Sequence, residues 1–129
     1  MKTLFDWMLR IATAAILFQT LFFKFLGAEE SIYIFSTLGM EPWGRYMVGI
    51  SELICVILLL IPRTVAFGSL LSIGVIAGAI IAHITKLGIE VQGDGGLLFG
   101  LAVAVFLCSA VLLWIHRTDL LKYLPPGRA

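Results

Sequence analysis

Four long apolar stretches dominate the chain, and short polar segments separate them. They cover roughly residues 5–25, 46–61, 66–85 and 97–115. A helix needs about 20 apolar residues to cross the hydrocarbon of a bilayer, and helices satisfy their own backbone hydrogen bonds there. The second stretch is short because Pro62 stops it, and we expect Gly44 and Arg45 to extend it. The pattern predicts an all-α fold, a four-helix membrane bundle that forms a single domain of residues 1–129.

The segment between the first two stretches is predicted to form a short amphipathic helix on the outer surface of the bundle. Ile32, Phe35 and Leu38 recur at a helical spacing. Gly39 offers a C-terminal cap, and Pro42 blocks continuation. We therefore expect a helix in the first outer loop, with Ile32, Phe35 and Leu38 on its apolar face.

Composition and charge point to the membrane as well. The chain has 129 residues, of which 60% are hydrophobic and 13% charged, and its formal net charge is +1. That balance gives no basis for a nucleic-acid partner. The side of the predicted bundle that holds both termini carries six basic residues and the other side three. By the positive-inside rule we expect a multi-pass protein of the cytoplasmic (inner) membrane with both termini in the cytoplasm.

Glu52 lies within the second apolar stretch, where an ionisable side chain is costly and faces the bundle interior or a cavity, with a partner. Lys24 offers it a cation, and His83 offers a shared proton. The sharpest hypothesis is a small pocket, open to the outer face, that these three residues line. The candidates for ligand binding or proton handling all fall in the outer half of the bundle: Lys24, Glu52, His83, Asp94, Arg45 and Gln19.

A structural interpretation of the same residues stays open. Lys24 can extend its ammonium to the interface, His83 can end its helix near water, and Glu52 can lock helices together through hydrogen bonds. Asp94 lies in the segment Gly93-Asp-Gly-Gly96, which favours a turn and an N-cap for the fourth helix over a catalytic role.

Two stripes of small residues predict close helix packing. They recur every four residues in the third and fourth helices: Gly74, Gly78 and Ala82, then Gly96, Gly100 and Ala104. Such stripes let two helices approach closely. The sequence does not decide whether the two faces meet within one chain, which we favour, or in a homo-oligomer. In either case the stripe places His83 beside the tightest contact.

The sequence offers no recognisable haem, metal or nucleotide site. Cys55 and Cys108 form no C-x-x-C pair, so disulfide exchange is not expected. His83 and His116 fall at opposite interfaces about 30 Å apart, too far to ligate one haem together. No metal-ligand cluster and no phosphate-binding loop is visible. The inner half of the bundle is predicted to be almost purely apolar, which argues against a channel.

Several segments resemble, in order along the chain, the DoxX family of small four-helix membrane proteins. They are Gln19-Thr-Leu-Phe-Phe-Lys24-Phe, Glu41-Pro-Trp-Gly-Arg45, Gly49-Ile-Ser-Glu52 with Leu60-Ile-Pro-Arg63, Gly78-Ala-Ile-Ile-Ala-His83, and Gly93-Asp-Gly-Gly96. The resemblance implies a link to redox work, as the membrane subunit of a thiosulfate:quinone oxidoreductase or within oxidative-stress complexes that include secreted superoxide dismutase. This chain lacks the partner domain expected of the thiosulfate enzyme, so that activity would need a second subunit. Lys24, Glu52 and His83 match the family's polar helix positions.

Three functions from different classes follow. The first is a redox or oxidative-stress subunit that binds a quinone or another small molecule, with Glu52 and His83 handling the proton and Lys24 stabilising the anion. The second is a non-enzymatic scaffold that binds lipid, or a membrane or extracytoplasmic protein, through the helix around residues 32–38. The third is a proton-coupled small-solute transporter, which the apolar inner half disfavours. The sequence does not decide whether the chain is an enzyme.

Overall fold

The computed structural model describes residues 2–91 and 93–121, and α-helices form most of that part of the chain. They are α1 Lys2–Leu26, α2 Glu29–Thr37, α3 Trp43–Leu60, α4 Val65–Ala82, α5 Leu97–Ile115 and α6 Arg117–Leu121. A 3-10 turn at Pro62–Thr64 joins α3 to α4, and a π-helical turn at His83–Leu87 extends α4.

Four segments are long and apolar enough to cross a membrane. They are Thr3–Leu26, Trp43–Leu60, Pro62–Leu87 and Leu97–Ile115. The predicted all-α bundle of four membrane helices is therefore confirmed. As expected, Gly44 and Arg45 extend the second span, because α3 begins at Trp43.

The four long helices form a closed ring in which α1 and α4 each pack against α3 and α5. Apolar side chains fill the interior, among them Leu17, Leu21, Cys55, Leu59, Val65, Ile76, Val105 and Leu112. Large apolar side chains also cover the outside, as with Ile57, Leu70 and Leu107, which are 49%, 49% and 58% exposed. In a soluble protein such a surface would be a liability, whereas lipid tails solvate it. We call the end that carries α2 and residues 83–96 the α2 end, and the end that carries Pro62–Thr64 and α6 the opposite end.

The predicted amphipathic helix is present as α2, but its buried face differs from the expected one. Gly39 adopts the positive φ of +74° that the predicted C-terminal cap requires. Phe35 is buried as expected and Ser31 is buried beside it, whereas Ile32 is 38% exposed. Because α2 lies over the end of the bundle, the face at positions 31 and 35 is turned inward.

The predicted close packing of the glycine stripes within one chain is wrong. A Cβ added at Gly74, Gly78 or Gly100 would meet no heavy atom within 4 Å. Gly96 has a φ of +88° and forms the N-cap of α5, so its backbone conformation accounts for the glycine there. Gly78 and Ala82 instead line a cavity. Gly74 and Gly100 are exposed and lie outside the cavity lining.

A close helix approach occurs at Gly68, on α4. A Cβ there would lie 2.9 Å from Leu58 Cβ and 3.0 Å from the backbone nitrogen of Leu59. The short connection at Pro62–Thr64 forces the start of α4 against the end of α3, so only a residue without a side chain fits at this point.

Candidate functional site

A cavity of about 740 Å³ lies among α1, α3, α4 and α5, and α2 contributes to its wall. That volume falls within the range of small-molecule sites. Its polar lining comprises Gln19, Thr20, Lys24, Glu30, Ser31, Glu52, His83, Thr85, Lys86 and Asp94. The wall toward the opposite end is apolar and includes Ile16, Leu17, Ile76, Ala102 and Val105. The cavity therefore has a polar part toward α2 and an apolar part deeper in the bundle.

Glu52 and Lys24 form a buried ion pair on this wall. Glu52 is 3% exposed, and Lys24 Nζ lies 3.0 Å from Glu52 Oε1. Thr20 Oγ lies 2.9 Å from Glu52 Oε2. The predicted partner of Glu52 is thus Lys24, and the interpretation in which Lys24 only extends to the interface does not hold.

Arg45 fixes the end of α1 that carries Lys24. Its Nη1 donates to the backbone oxygen of Lys24, and its Nε lies 2.9 and 3.0 Å from the two carboxylate oxygens of Glu41. Arg45 is itself buried, yet it does not belong to the cavity lining. It therefore positions Lys24 from behind instead of facing a ligand in the cavity.

His83 lines the same cavity but does not share a proton with Glu52. Its Nδ1 lies 3.0 Å from the backbone oxygen of Gly88. A carbonyl oxygen only accepts, so Nδ1 carries the proton and Nε2 is an acceptor in the neutral ring. The ring packs edge-on against Phe99, with 5.6 Å between centroids. The expected His83–Glu52 hydrogen bond is absent because the π-helical turn directs the imidazole to the backbone of its own loop.

Asp94 organises the start of α5, as its glycine-rich surroundings predict. Its carboxylate accepts hydrogen bonds from the backbone N–H groups of Val91, Gly96 and Leu98, at 3.0, 2.8 and 3.1 Å. Burial acts to raise the pKa of Asp94, but these three donors outweigh burial and hold the pKa below its ordinary value. Asp94 lines the cavity, yet the backbone already occupies its carboxylate. Gln19 also lines the cavity and is exposed.

The candidates from the sequence omit five polar residues of the cavity wall. They are Thr20, Glu30, Ser31, Thr85 and Lys86. Thr20 lies one helical turn before Lys24, so its position on the face of the ion pair follows from the spacing. Glu30 and Ser31 were assigned to a surface loop helix, and only the placement of α2 over the bundle brings them to the cavity.

The prediction of an almost purely apolar inner half is also wrong. Arg10 is 2% exposed, and its Nε donates to the backbone oxygen of Leu59 at 2.6 Å. Asp6 lies 3.4 Å from Arg10 Nη1 and 2.6 Å from His116 Nε2. Further into the bundle, four hydroxyl-bearing side chains are fully buried, namely Thr13, Ser69, Ser72 and Ser109. Single polar residues in apolar helices gave a weak signal in the sequence, because each is compatible with a lipid-facing position.

Compared with protein-family models, curated proteins and solved structures, the chain shows no significant match. The resemblance to the DoxX family therefore stays a prediction.

Proposed function

We propose that the protein is a multi-pass membrane protein that binds one amphipathic small molecule inside its bundle. The observation that carries this proposal is the buried Lys24–Glu52 pair on the wall of a cavity whose deeper part is apolar. A polar head group would lie beside the ion pair, and the apolar part of the molecule would extend among Leu17, Ile76 and Val105. Sites of this kind combine an apolar wall with a few convergent polar groups.

The most specific form of the proposal is a quinone-linked redox or oxidative-stress subunit. It rests on the family resemblance and on the presence of an ammonium and a carboxylate near one another, which would serve anion stabilisation and proton handling at a head group. In this form the chain supplies binding and proton transfer, and a partner protein supplies the electrons.

The proposed location is the cytoplasmic membrane, with both termini on the cytoplasmic side. The distribution of charge supports it, since the α2 end is rich in acidic residues and the opposite end is rich in basic ones. The cavity would then face the extracytoplasmic side of the bilayer.

Proton-coupled transport of a small solute is the second candidate. The buried side chains of Thr13, Ser69, Ser72 and Ser109 favour it. Their hydroxyls lie between Glu52 and Arg10, in the part of the bundle that a transported solute or proton would have to cross. The scaffold hypothesis gains no such support, since Phe35, one of its proposed contact residues, is only 6% exposed. A proton-driven solute flux into liposomes that disappears in Glu52→Gln would identify the transporter.

Native mass spectrometry of the purified protein, with extraction of quinones and lipids from the same sample, tests the proposed function. We expect one small molecule bound per chain in the native protein and its loss in Glu52→Gln, which keeps the size of the side chain but removes its charge. Ser51→Ala is the matched control, because Ser51 is the neighbour of Glu52 on α3 and lies outside the cavity lining. A protein that carries only bulk phospholipid in every variant would refute the proposal.

A further inference from the structure

The charge on the cavity wall is not balanced. The wall carries two basic and three acidic side chains, which are Lys24, Lys86, Glu30, Glu52 and Asp94. With His83 neutral, this leaves a formal excess of one negative charge. Asp94 is already stabilised by three backbone donors, and Glu52 by Lys24. The remaining carboxylate, Glu30, has no ion-pair partner in the described part of the chain.

One carboxylate oxygen on this wall is buried and has neither a hydrogen bond nor an ion-pair partner among the described residues, namely Oε1 of Glu30. Oε1 of Glu52, by contrast, lies 3.0 Å from the ammonium of Lys24. A buried polar atom without a partner is costly, and the cost is larger for a charged group. The free group of the site is therefore an acceptor, and a ligand that offers a hydrogen-bond donor would satisfy it.

The α2 end also carries a wider negative field. Its basic residues are Lys24, Arg45 and Lys86, against the acids Glu29, Glu30, Glu41, Glu52, Glu90 and Asp94. Three basic against six acidic side chains leave a formal charge of −3 around the cavity. Low-dielectric walls concentrate such a field and raise the local concentration of cations.

The rest of the cavity suits an apolar body attached to a cationic head. Its deeper wall is built from aliphatic side chains, and Phe23 and Phe35 lie on the wall near its polar part. Aromatic faces attract cations when these approach within about 6 Å. Alkyl chains gain about 0.8 kcal/mol per buried CH₂ group, so the apolar part adds affinity in proportion to its length.

We propose that the cavity selects a lipophilic ammonium ion, whose charged nitrogen lies beside Glu30 and whose apolar part extends into the bundle. This inference rests on the proposed binding of one amphipathic small molecule, and it names a ligand class that would replace the quinone of the more specific form. An anionic amphiphile of the same length is disfavoured by the excess negative charge of the wall, and a neutral one gains only the apolar contact.

Three probes with one tail and different heads test the inference: octylammonium, 1-octanol and octanoate. Binding is measured by isothermal titration calorimetry to the protein in phosphatidylcholine nanodiscs at pH 7, with empty nanodiscs as the blank. We expect octylammonium to bind about tenfold to a hundredfold more tightly than 1-octanol, which is the range that one hydrogen bond to a charged group contributes. We expect octanoate to bind no more tightly than 1-octanol.

The variant Glu30→Gln tests whether the Glu30 carboxylate binds the ammonium group. Glu30 makes no hydrogen bond through Oε1 and lies on the short helix α2, so this change leaves the bundle core untouched. We expect it to lower the affinity for octylammonium by about tenfold and to leave that for 1-octanol unchanged. Glu29→Gln is the control, because Glu29 is the exposed neighbour outside the cavity lining.

The outcomes separate the two proposals. Equal affinities for the three probes, or tightest binding of octanoate, would overturn the ammonium inference while leaving the small-molecule site in place. An octylammonium affinity that Glu30→Gln does not change would overturn the role of Glu30. Absence of saturable binding by all three probes would overturn both the inference and the proposed function on which it rests.

Discussion

Lys24→Met tests the buried ion pair directly. Methionine keeps the unbranched stem but removes the ammonium that lies 3.0 Å from Glu52 Oε1. Two unit charges at that distance interact by about 5.5 kcal/mol for an effective dielectric constant of 20. The loss has a ceiling, because the stranded carboxylate can take a proton from solution. Measured from the unfolded chain, where a glutamate carboxyl has its ordinary pKa of about 4.3, taking up that proton costs about 3.7 kcal/mol at pH 7.

We therefore expect Lys24→Met to lower the free energy of unfolding by about 3 to 4 kcal/mol at pH 7, near the low end of the cost of breaking a buried pair. The ceiling falls by about 1.4 kcal/mol per pH unit, so the loss should shrink to about 1 kcal/mol at pH 5. Unfolding by SDS titration in mixed micelles at the two pH values measures both quantities.

Two further variants complete the cycle. Glu52→Gln leaves Lys24, whose side chain is 16% exposed and can extend toward the interface, so we expect a loss below about 1 kcal/mol. The double variant removes both charges and should lie within about 1 kcal/mol of the native protein. A Lys24→Met loss under about 1 kcal/mol at pH 7, or a loss of equal size at pH 5, would refute the reasoning.

Two other predictions concern the packing of α4 on α3 and the loop before α5. Gly68→Ala should lower the free energy of unfolding by about 1 to 3 kcal/mol, because the new Cβ would collide with Leu58. Gly74→Ala should raise it by about 0.4 to 1 kcal/mol. Equal effects of the two variants in the same SDS titration would contradict the assignment of the tight contact. Asp94→Ala should cost about 0.5 to 2 kcal/mol. The lowered pKa of Asp94 means that its contribution is present above the ordinary pKa of about 3.9 and is lost as the pH falls through the folded-state value. The stabilities of native protein and Asp94→Ala should then converge in acid, and a constant difference down to pH 2 would show that the carboxylate charge is not involved.

The helices could be predicted because their signal is local. A run of apolar residues of the right length, ended by Pro62 or Gly39, predicts a span or a stop without knowledge of its neighbours. The same holds for Asp94, since the groups that it binds lie within four residues of it. Glu52 could be recognised as a candidate for a similar reason, because a charged side chain is unusual among the apolar residues around it.

The partners across helices could not be predicted, because they depend on how each helix is rotated in the bundle. Lys24 at a helix end is compatible with an interfacial position and with an inward one, and only the packing of α1 on α3 decides between them. Gly74 and Gly78 fit the pattern of a packing stripe, yet no neighbour approaches them. Arg10 follows the same rule, because only the packing of the four helices encloses its side chain.

The buried ion pair and the unfilled cavity each make the bundle less stable, and they lie side by side. A buried ion pair is seldom more stabilising than apolar side chains of the same volume, and unfilled space forfeits the packing that a core would gain. Leucine at position 78 would fill part of the cavity, and a pair of apolar residues could replace Lys24 and Glu52. The chain instead keeps glycine beside the space and charge on its wall. Departures from an optimal core are expected at functional sites, and their coincidence here favours a ligand over an interhelical lock as the reason for Glu52.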